Sequence, residues 1–225
     1  MTDSFYLGAY WGGRAESLKE IVNKTLQTLQ RIGDIDEQFD NWYEGGMSRK
    51  EAVDGRVVLN EKSIERLCLL KVKKRELDKD GFAKMGFLFS LWTGHKDEES
   101  SSITFNVGVE NNLLTNSCVI KMPFIGLAKE RLLSLEKAKA LLSMLVELWN
   151  PDNAVLSSYY LNEQIKAINK VGWITFSRTI KQEKDQLNGI VAEKCGDGFL
   201  FYINSTDKSY NYDRMNELSL VKEIL

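Results

Sequence analysis

The spacing of apolar positions changes character several times along the chain. Phe5 to Trp11 is rich in aromatics and ends at paired glycines, which predicts a strand. From Ala15 the period lengthens. Leu18, Ile21, Val22, Thr25, Leu26, Leu29 and Ile32 recur at three- and four-residue steps, predicting a helix with one apolar face and a stop at Gly33. "DIDEQFDNWYEGG" then reads as a short helix or turn closed by Gly45 and Gly46. Ser48 and Glu51 have capping-box spacing, which predicts another turn or two of helix. Asn60 is positioned to cap a helix carrying Ile64, Leu67, Cys68 and Leu70.

Two-residue alternation follows. Phe87, Phe89 and Leu91 interleave with Leu88, Ser90 and Trp92; Ile103, Phe105, Val107 and Val109 interleave with Thr104, Asn106 and Gly108. Each set predicts a strand with one face on a core. A third strand is expected near Cys118 to Met122, before Pro123. Ser134 should cap a helix running through Leu135, Ala138, Leu141, Leu142, Leu145, Val146 and Trp149, with Pro151 beyond its end. Val155 to Tyr160 reads as a strand, Asn162 to Asn169 as a short helix and "GWITFSR" as a strand. "IVAEKCGDGFLFYIN" reads as a hairpin turning at Asp197-Gly198, and "DRMNELSLVKEIL" as a closing helix. Consecutive alternating strands favour antiparallel pairing. The expected class is α+β: a mainly antiparallel sheet packed by amphipathic helices, in one domain over residues 1–225, with 150–152 the place to look for a subdivision.

Composition narrows the function more by exclusion than by signal. With 30 basic and 32 acidic residues the formal net charge is -2, so no global field draws the chain to nucleic acid or to an anionic membrane. No leader peptide and no membrane span is expected. Cys68, Cys118 and Cys195 form no CxxC and have apolar neighbours, as buried free thiols of a reducing compartment would. A Ser-His-Asp hydrolase needs a base beside its nucleophile, and the sole histidine, His95, lies in a charged loop with no GxSxG elbow in the chain. One His and three scattered Cys do not make a zinc site. No metal and no cofactor is therefore expected.

Three stretches remain candidates for binding. "YWGGR" (Tyr10 to Arg14) sits at a strand-to-helix junction, where glycines can cradle a phosphate. It lacks the interval and the lysine of a phosphate loop, so Gly12 and Gly13 are expected to turn the backbone and Arg14 to hold the corner. Lys71, Lys73, Lys74 and Arg75 form a basic cluster. It has no interleaved aromatics, and Glu76, Asp78 and Asp80 follow at once, which fits a solvated helix end. Asp34, Asp36, Glu37, Asp40 and Glu44 lie among Phe39, Trp42 and Tyr43, and Asp97, Glu98 and Glu99 make a second acidic loop. Acids beside aromatic anchors suit either an ordinary turn or a docking surface for a basic partner.

The ordered segments "YLGAYWGGRAES", "WYEGGMSRKEAV", "GFLFSLWTG", "ELWNPDNAVLSS" and "VGWITF" together resemble the immunity protein 52 family of bacterial polymorphic toxin systems, over roughly residues 6 to 176. The turn after Trp11 departs from the pattern, carrying Gly12-Gly13 where a proline beside the glycine is expected. The resemblance implies a cytoplasmic antidote without catalysis of its own. It would bind a cognate toxin domain, often a nuclease with a restriction-endonuclease-like fold, as a one-to-one complex, touching neither nucleic acid nor membrane. It marks Trp11, Arg14, Trp42, Tyr43, Ser48, Arg49 and Glu51 as shared scaffold, and Gly12 and Gly13 are expected to serve the same scaffold corner. Contacts to the toxin are sought instead at Asp36, Glu37, Asp40, Glu44, Asp97, Glu98 and Glu99, because a nuclease must present basic groups to its substrate. The rival readings are a nucleic-acid-associated or regulatory module resting on residues 71–75, and a carboxylate-based enzyme, which would need acids converging in a pocket.

Overall fold

The computed structural model describes residues 3–45, 49–73, 76–165, 171–179 and 190–203. The expected closing helix, Ser48, Lys74, Arg75 and residues 166–169 lie outside the described residues. The fold is α+β with a mainly antiparallel sheet, and nine strands fall among the described residues. The chain forms two compact units: the N-terminal residues through Ala9 with Lys121 onward, and Tyr10–Ile120. Strand β1 (Phe5–Trp11) contributes residues to both.

In the Tyr10–Ile120 unit, α1 (Leu18–Ile35) begins at a capping box. Ser17 accepts from the Glu20 N–H, and the Glu20 carboxylate accepts from the Ser17 N–H at 2.8 Å. Its buried face is Ile21, Val22, Thr25, Thr28, Leu29 and Ile32. The expected stop at Gly33 does not occur. The helix continues to Ile35 and is ended by Asp36, whose carboxylate turns to the N–H of Gln38 and opens a 3-10 turn over Glu37–Phe39. A helical glycine costs only about 1 kcal/mol against alanine, which neighbouring contacts outweigh. Strand β2 is short (Tyr43–Glu44), and α2 spans Arg49–Asp54. Helix α3 (Glu61–Leu69) is capped by Asn60, whose Oδ1 accepts from the Ser63 N–H at 2.9 Å. It packs on α1 and on β3 through Ile64, Leu67 and Cys68, while Leu70, expected on that face, is exposed just past the helix end.

Strands β3 (Phe87–Trp92), β4 (Ser102–Val107) and β5 (Asn116–Lys121) follow β2 in the sheet order β2-β3-β4-β5. β3 and β4 pair antiparallel with Phe89 opposite Phe105, and the alternation read from the sequence holds: Phe87, Phe89, Leu91, Ile103, Phe105 and Val107 are buried.

In the other unit, α4 (Leu127–Leu132) precedes α5 (Leu135–Trp149), which is capped by Ser134 and closed by Asn150 in the left-handed conformation (φ 44°). Helix α5 packs on β6 (Asn153–Ser158) and β7 (Ile174–Ser177). β6 ends two residues earlier than expected, because Tyr159 already begins α6 (Tyr159–Ile165). The strand order is β6-β7-β9-β8, with β8 (Ile190–Cys195) and β9 (Gly198–Ile203) forming the expected hairpin. Its turn is one residue off the expectation. Cys195 pairs with Gly198, so Gly196 and Asp197 make the loop and Gly196 supplies the positive φ of 51°. The strand is fixed to α5 by Lys139, which ion-pairs with Glu193 and donates to the Tyr202 hydroxyl at 3.3 Å.

All three cysteines are free. Cys68 and Cys118 are buried, and burial pushes the Cys68 thiol up to about 12 and that of Cys118 further; Cys195 is only half-buried, short of the expectation.

Candidate interaction site

The two acidic stretches, far apart in sequence, meet around one side chain. Gln38 is 4% exposed. Its Nε2 donates to the carbonyl of Glu99 at 2.8 Å and to the hydroxyls of Ser101 and Thr93 at 3.2 and 3.4 Å. Thr93 closes the second loop in turn: its Oγ1 accepts from the Ser101 N–H at 3.0 Å, and its own N–H donates to the Ser101 carbonyl. A second 3-10 turn, Asp97–Glu99, forms between β3 and β4, with Ser100 Oγ donating to the His95 carbonyl at 2.6 Å. Asp97 has φ 21°, a region aspartate tolerates better than most residues. The 3-10 turn after α1 and the loop before β4 are thus held edge to edge by a buried amide.

The candidates divide. Glu37, Asp40, Asp97, Glu98 and Glu99 are exposed on these two turns, with Lys96 and His95 beside them. Asp36 is not part of this surface: it is 5% exposed, and its carboxylate accepts the Gln38 N–H at 3.1 Å. Glu44 is half-buried and committed to Arg66, with Nη1 to Oε2 at 3.1 Å and a second bond from Nη2 to Oε1. That carboxylate raises the Arg66 pKa. Two of the seven acids are therefore spent within the fold. The aromatic anchors are corrected as well. Phe39 and Trp42 are 1% exposed and stack with ring centroids 5.8 Å apart, while Tyr43 and Trp92 are half-buried.

The "YWGGR" corner is a scaffold joint. Gly13 needs to be glycine because of a close approach, not an unusual φ: a Cβ there would run into the Glu110 carbonyl oxygen and lie 2.6 Å from Asn112 Oδ1. Asn116, fully buried, ties the neighbouring chain segments. Its amide donates to the carbonyls of Gly12 and Val109 at 2.8 Å, and its Oδ1 accepts from the Val109 N–H at 2.9 Å. The Arg14 N–H donates to the Val109 carbonyl at 2.8 Å. Its guanidinium lies over the Trp11 ring at 5.1 Å and 3.5 Å from the buried Glu16 carboxylate, which also holds Lys24. The backbone N–H groups of Gly13 and Arg14, which an anion at this turn would need, are already engaged. Asn116 and Gln38 are the organising residues that sequence reasoning missed.

A groove of about 770 Å³ opens between the start of α1, α3 and the turn at Gly81. Its acids Glu20, Glu61, Glu65 and Asp80 alternate with Lys19 and Lys79, and Glu20 is engaged by the Ser17 cap, which lowers its pKa. Among the described residues no group of three or more His, Cys, Asp or Glu could hold a metal ion. Of the basic cluster, Lys71 and Lys73 are exposed past the end of α3.

The model of the family described as Immunity protein 52 matches residues 3–193. The chain belongs to the immunity protein 52 family. Membership implies a cognate toxin as the partner. No curated protein matches the chain. Among solved structures, the Pseudomonas aeruginosa T6SS protein PA0821 is similar at 11% identity with a TM-score of 0.49, over 96% of this chain and 72% of its own. No helix among the described residues is long and apolar enough to cross a membrane.

Proposed function

We propose that this immunity protein is a cytoplasmic antidote that neutralises one toxin domain by forming a stoichiometric, one-to-one complex with it, and that the toxin is a nuclease with a restriction-endonuclease-like fold. The observation that supports this most is the convergence of Glu37, Asp40, Asp97, Glu98 and Glu99 on two turns joined by Gln38. A nuclease surface that meets phosphates is basic, and a local cluster of carboxylates complements it although the whole chain carries a charge of only -2. Such charges accelerate encounter, and their effect fades as salt rises. Nuclease–immunity pairs reach very tight affinities, colicin DNases being a standing example, so nanomolar or tighter binding is expected.

The test mixes the purified toxin domain encoded beside this gene with the antidote. A one-to-one complex without nuclease activity supports the reading; no complex, or a complex with full activity, overturns it. His95→Ala should protect cells expressing the toxin as well as the wild type does, because the reading gives the lone histidine no chemical role. Loss of protection by a folded variant that still binds the toxin as tightly as the wild type would contradict a purely binding mechanism.

A further inference from the structure

The loop between β4 and β5 carries an apolar tip that the fold holds rigidly and leaves uncovered. Leu113 is 90% exposed and Leu114 39% exposed. Single exposed leucines are common on proteins and need no role. This one differs in how firmly its loop is fixed. At the base, Asn116 holds both polar groups of Val109, and the Arg14 N–H holds the Val109 carbonyl as well. Along one side, the Gly13 N–H donates to Asn112 Oδ1 at 3.0 Å, and glycine at 13 is what admits the Glu110 carbonyl. On the return, Asn106 donates to the Thr115 carbonyl at 3.0 Å. At the tip, Asn111 Oδ1 accepts from the Leu113 N–H at 2.8 Å and the Asn111 carbonyl accepts from the Leu114 N–H at 3.0 Å.

We propose that Leu113 is a preorganised anchor that inserts into a concave apolar site on the toxin domain. The occupant follows from shape and charge. Leu113, 90% exposed at the loop tip, is a side chain that a cleft can enclose on most sides, and clefts with apolar walls are where enzymes keep their ligand sites. The one charged side chain between Gly108 and Thr115 is the exposed Glu110, of the same sign as the acidic turns, so a partner with basic groups suits both ends of this unit. A loop already held in its bound shape loses little entropy on binding, so the leucine's burial is retained as affinity. The anchor rests on the toxin-binding reading, but it adds an element that charge cannot supply: a slow dissociation rate insensitive to salt.

The experiment compares wild type, Leu113→Ser, Leu113→Met and the double reversal Glu37→Lys/Asp40→Lys against the toxin domain encoded beside this gene, by calorimetry and stopped-flow kinetics. The expected result is at least a 10-fold weaker complex for Leu113→Ser, the scale set by burying one leucine side chain. The loss should lie in the dissociation rate and be equal at low and high salt, with Leu113→Met within about 3-fold of wild type. Because Leu113 is 90% exposed, its variants should keep the wild-type denaturation midpoint, and affinities are compared only for variants that do. Wild-type affinity in Leu113→Ser, with binding otherwise intact, overturns the anchor and leaves the toxin-binding reading standing. Failure of the wild type to bind overturns that reading and this occupant with it. Self-association of the wild type that Leu113→Ser abolishes would assign the tip to a second copy of the chain and overturn the toxin as occupant.

Discussion

The two ends of the Tyr10–Ile120 unit are built from the same elements and held by different means. Helix α1 runs from the glycine corner to the acidic turns, and β4 runs back between the loops that bound them, six residues or roughly 20 Å. At the corner, backbone meets backbone so closely that no side chain fits at Gly13, and a fully buried asparagine satisfies three main-chain groups. At the acidic end the Gln38 amide bridges the two chain segments and the surface is charged. Gly13 therefore lies at the end where substitution is least tolerable for steric reasons.

The largest expected effect is at the corner. Gly13→Val must push its Cβ against the Glu110 carbonyl, and neither backbone segment can yield without breaking the Asn116 bonds. A loss of about 3 kcal/mol or more in chemical denaturation is expected. Unchanged stability would mean that the corner is loose and that its glycines serve something other than packing.

At the acidic end, Gln38→Leu should cost less, about 1–3 kcal/mol. It leaves the Glu99 carbonyl without its donor and removes the partner of the Thr93 and Ser101 hydroxyls. Amide hydrogen exchange should accelerate over residues 95–101 while the 109–116 loop keeps its protection. Equal loosening of both loops would erase the distinction drawn between the two ends.

The smallest effect belongs to the α1 cap, which starts the element joining both ends. The Ser17 bonds hold the Glu20 carboxyl below the usual range. A group whose folded pKa is depressed stabilises the fold above its unfolded value, about 4.3, and the contribution is lost as pH falls through the folded value. Glu20→Gln should lower stability at pH 7 by about 0.5 kcal/mol and narrow the gap to wild type as acid is added. A difference constant from pH 7 to pH 2 would show that the carboxylate form contributes nothing.

Period and punctuation carried most of the elements. The strands β3 and β4 and the helices α1, α3 and α5 were legible because each repeats its own spacing, and β1 because its aromatics run up to paired glycines. Boundaries failed where a tertiary partner overrode a local signal, as at Gly33, which α1 passes because Asp36 ends it by capping the next turn. The Ser17-Leu18-Lys19-Glu20 box went unread in the sequence, and it marks the helix start better than the apolar period does. The site was half legible. Acids and aromatics in one stretch suggested a docking face, but sequence does not show which acids the fold consumes: Asp36 caps a turn, and Glu44 meets Arg66 22 residues away. Gln38 and Asn116 carry no local signal at all. Their meaning lies in partners such as Ser101, 63 residues on, and Gly12, 104 residues back.

The central claim is that the exposed acids on the two joined turns steer a basic toxin domain. The most direct measurement is the association rate of the cognate toxin domain with wild type and with a variant reversing Glu37, Asp40, Asp97, Glu98 and Glu99 to lysine, each followed from low to high salt. The expected result is a wild-type rate that falls steeply with ionic strength and a variant rate lower by about 10-fold or more at low salt, the two converging as the charges are screened. Equal rates with equal salt slopes would contradict the claim and move the contact surface elsewhere on the molecule.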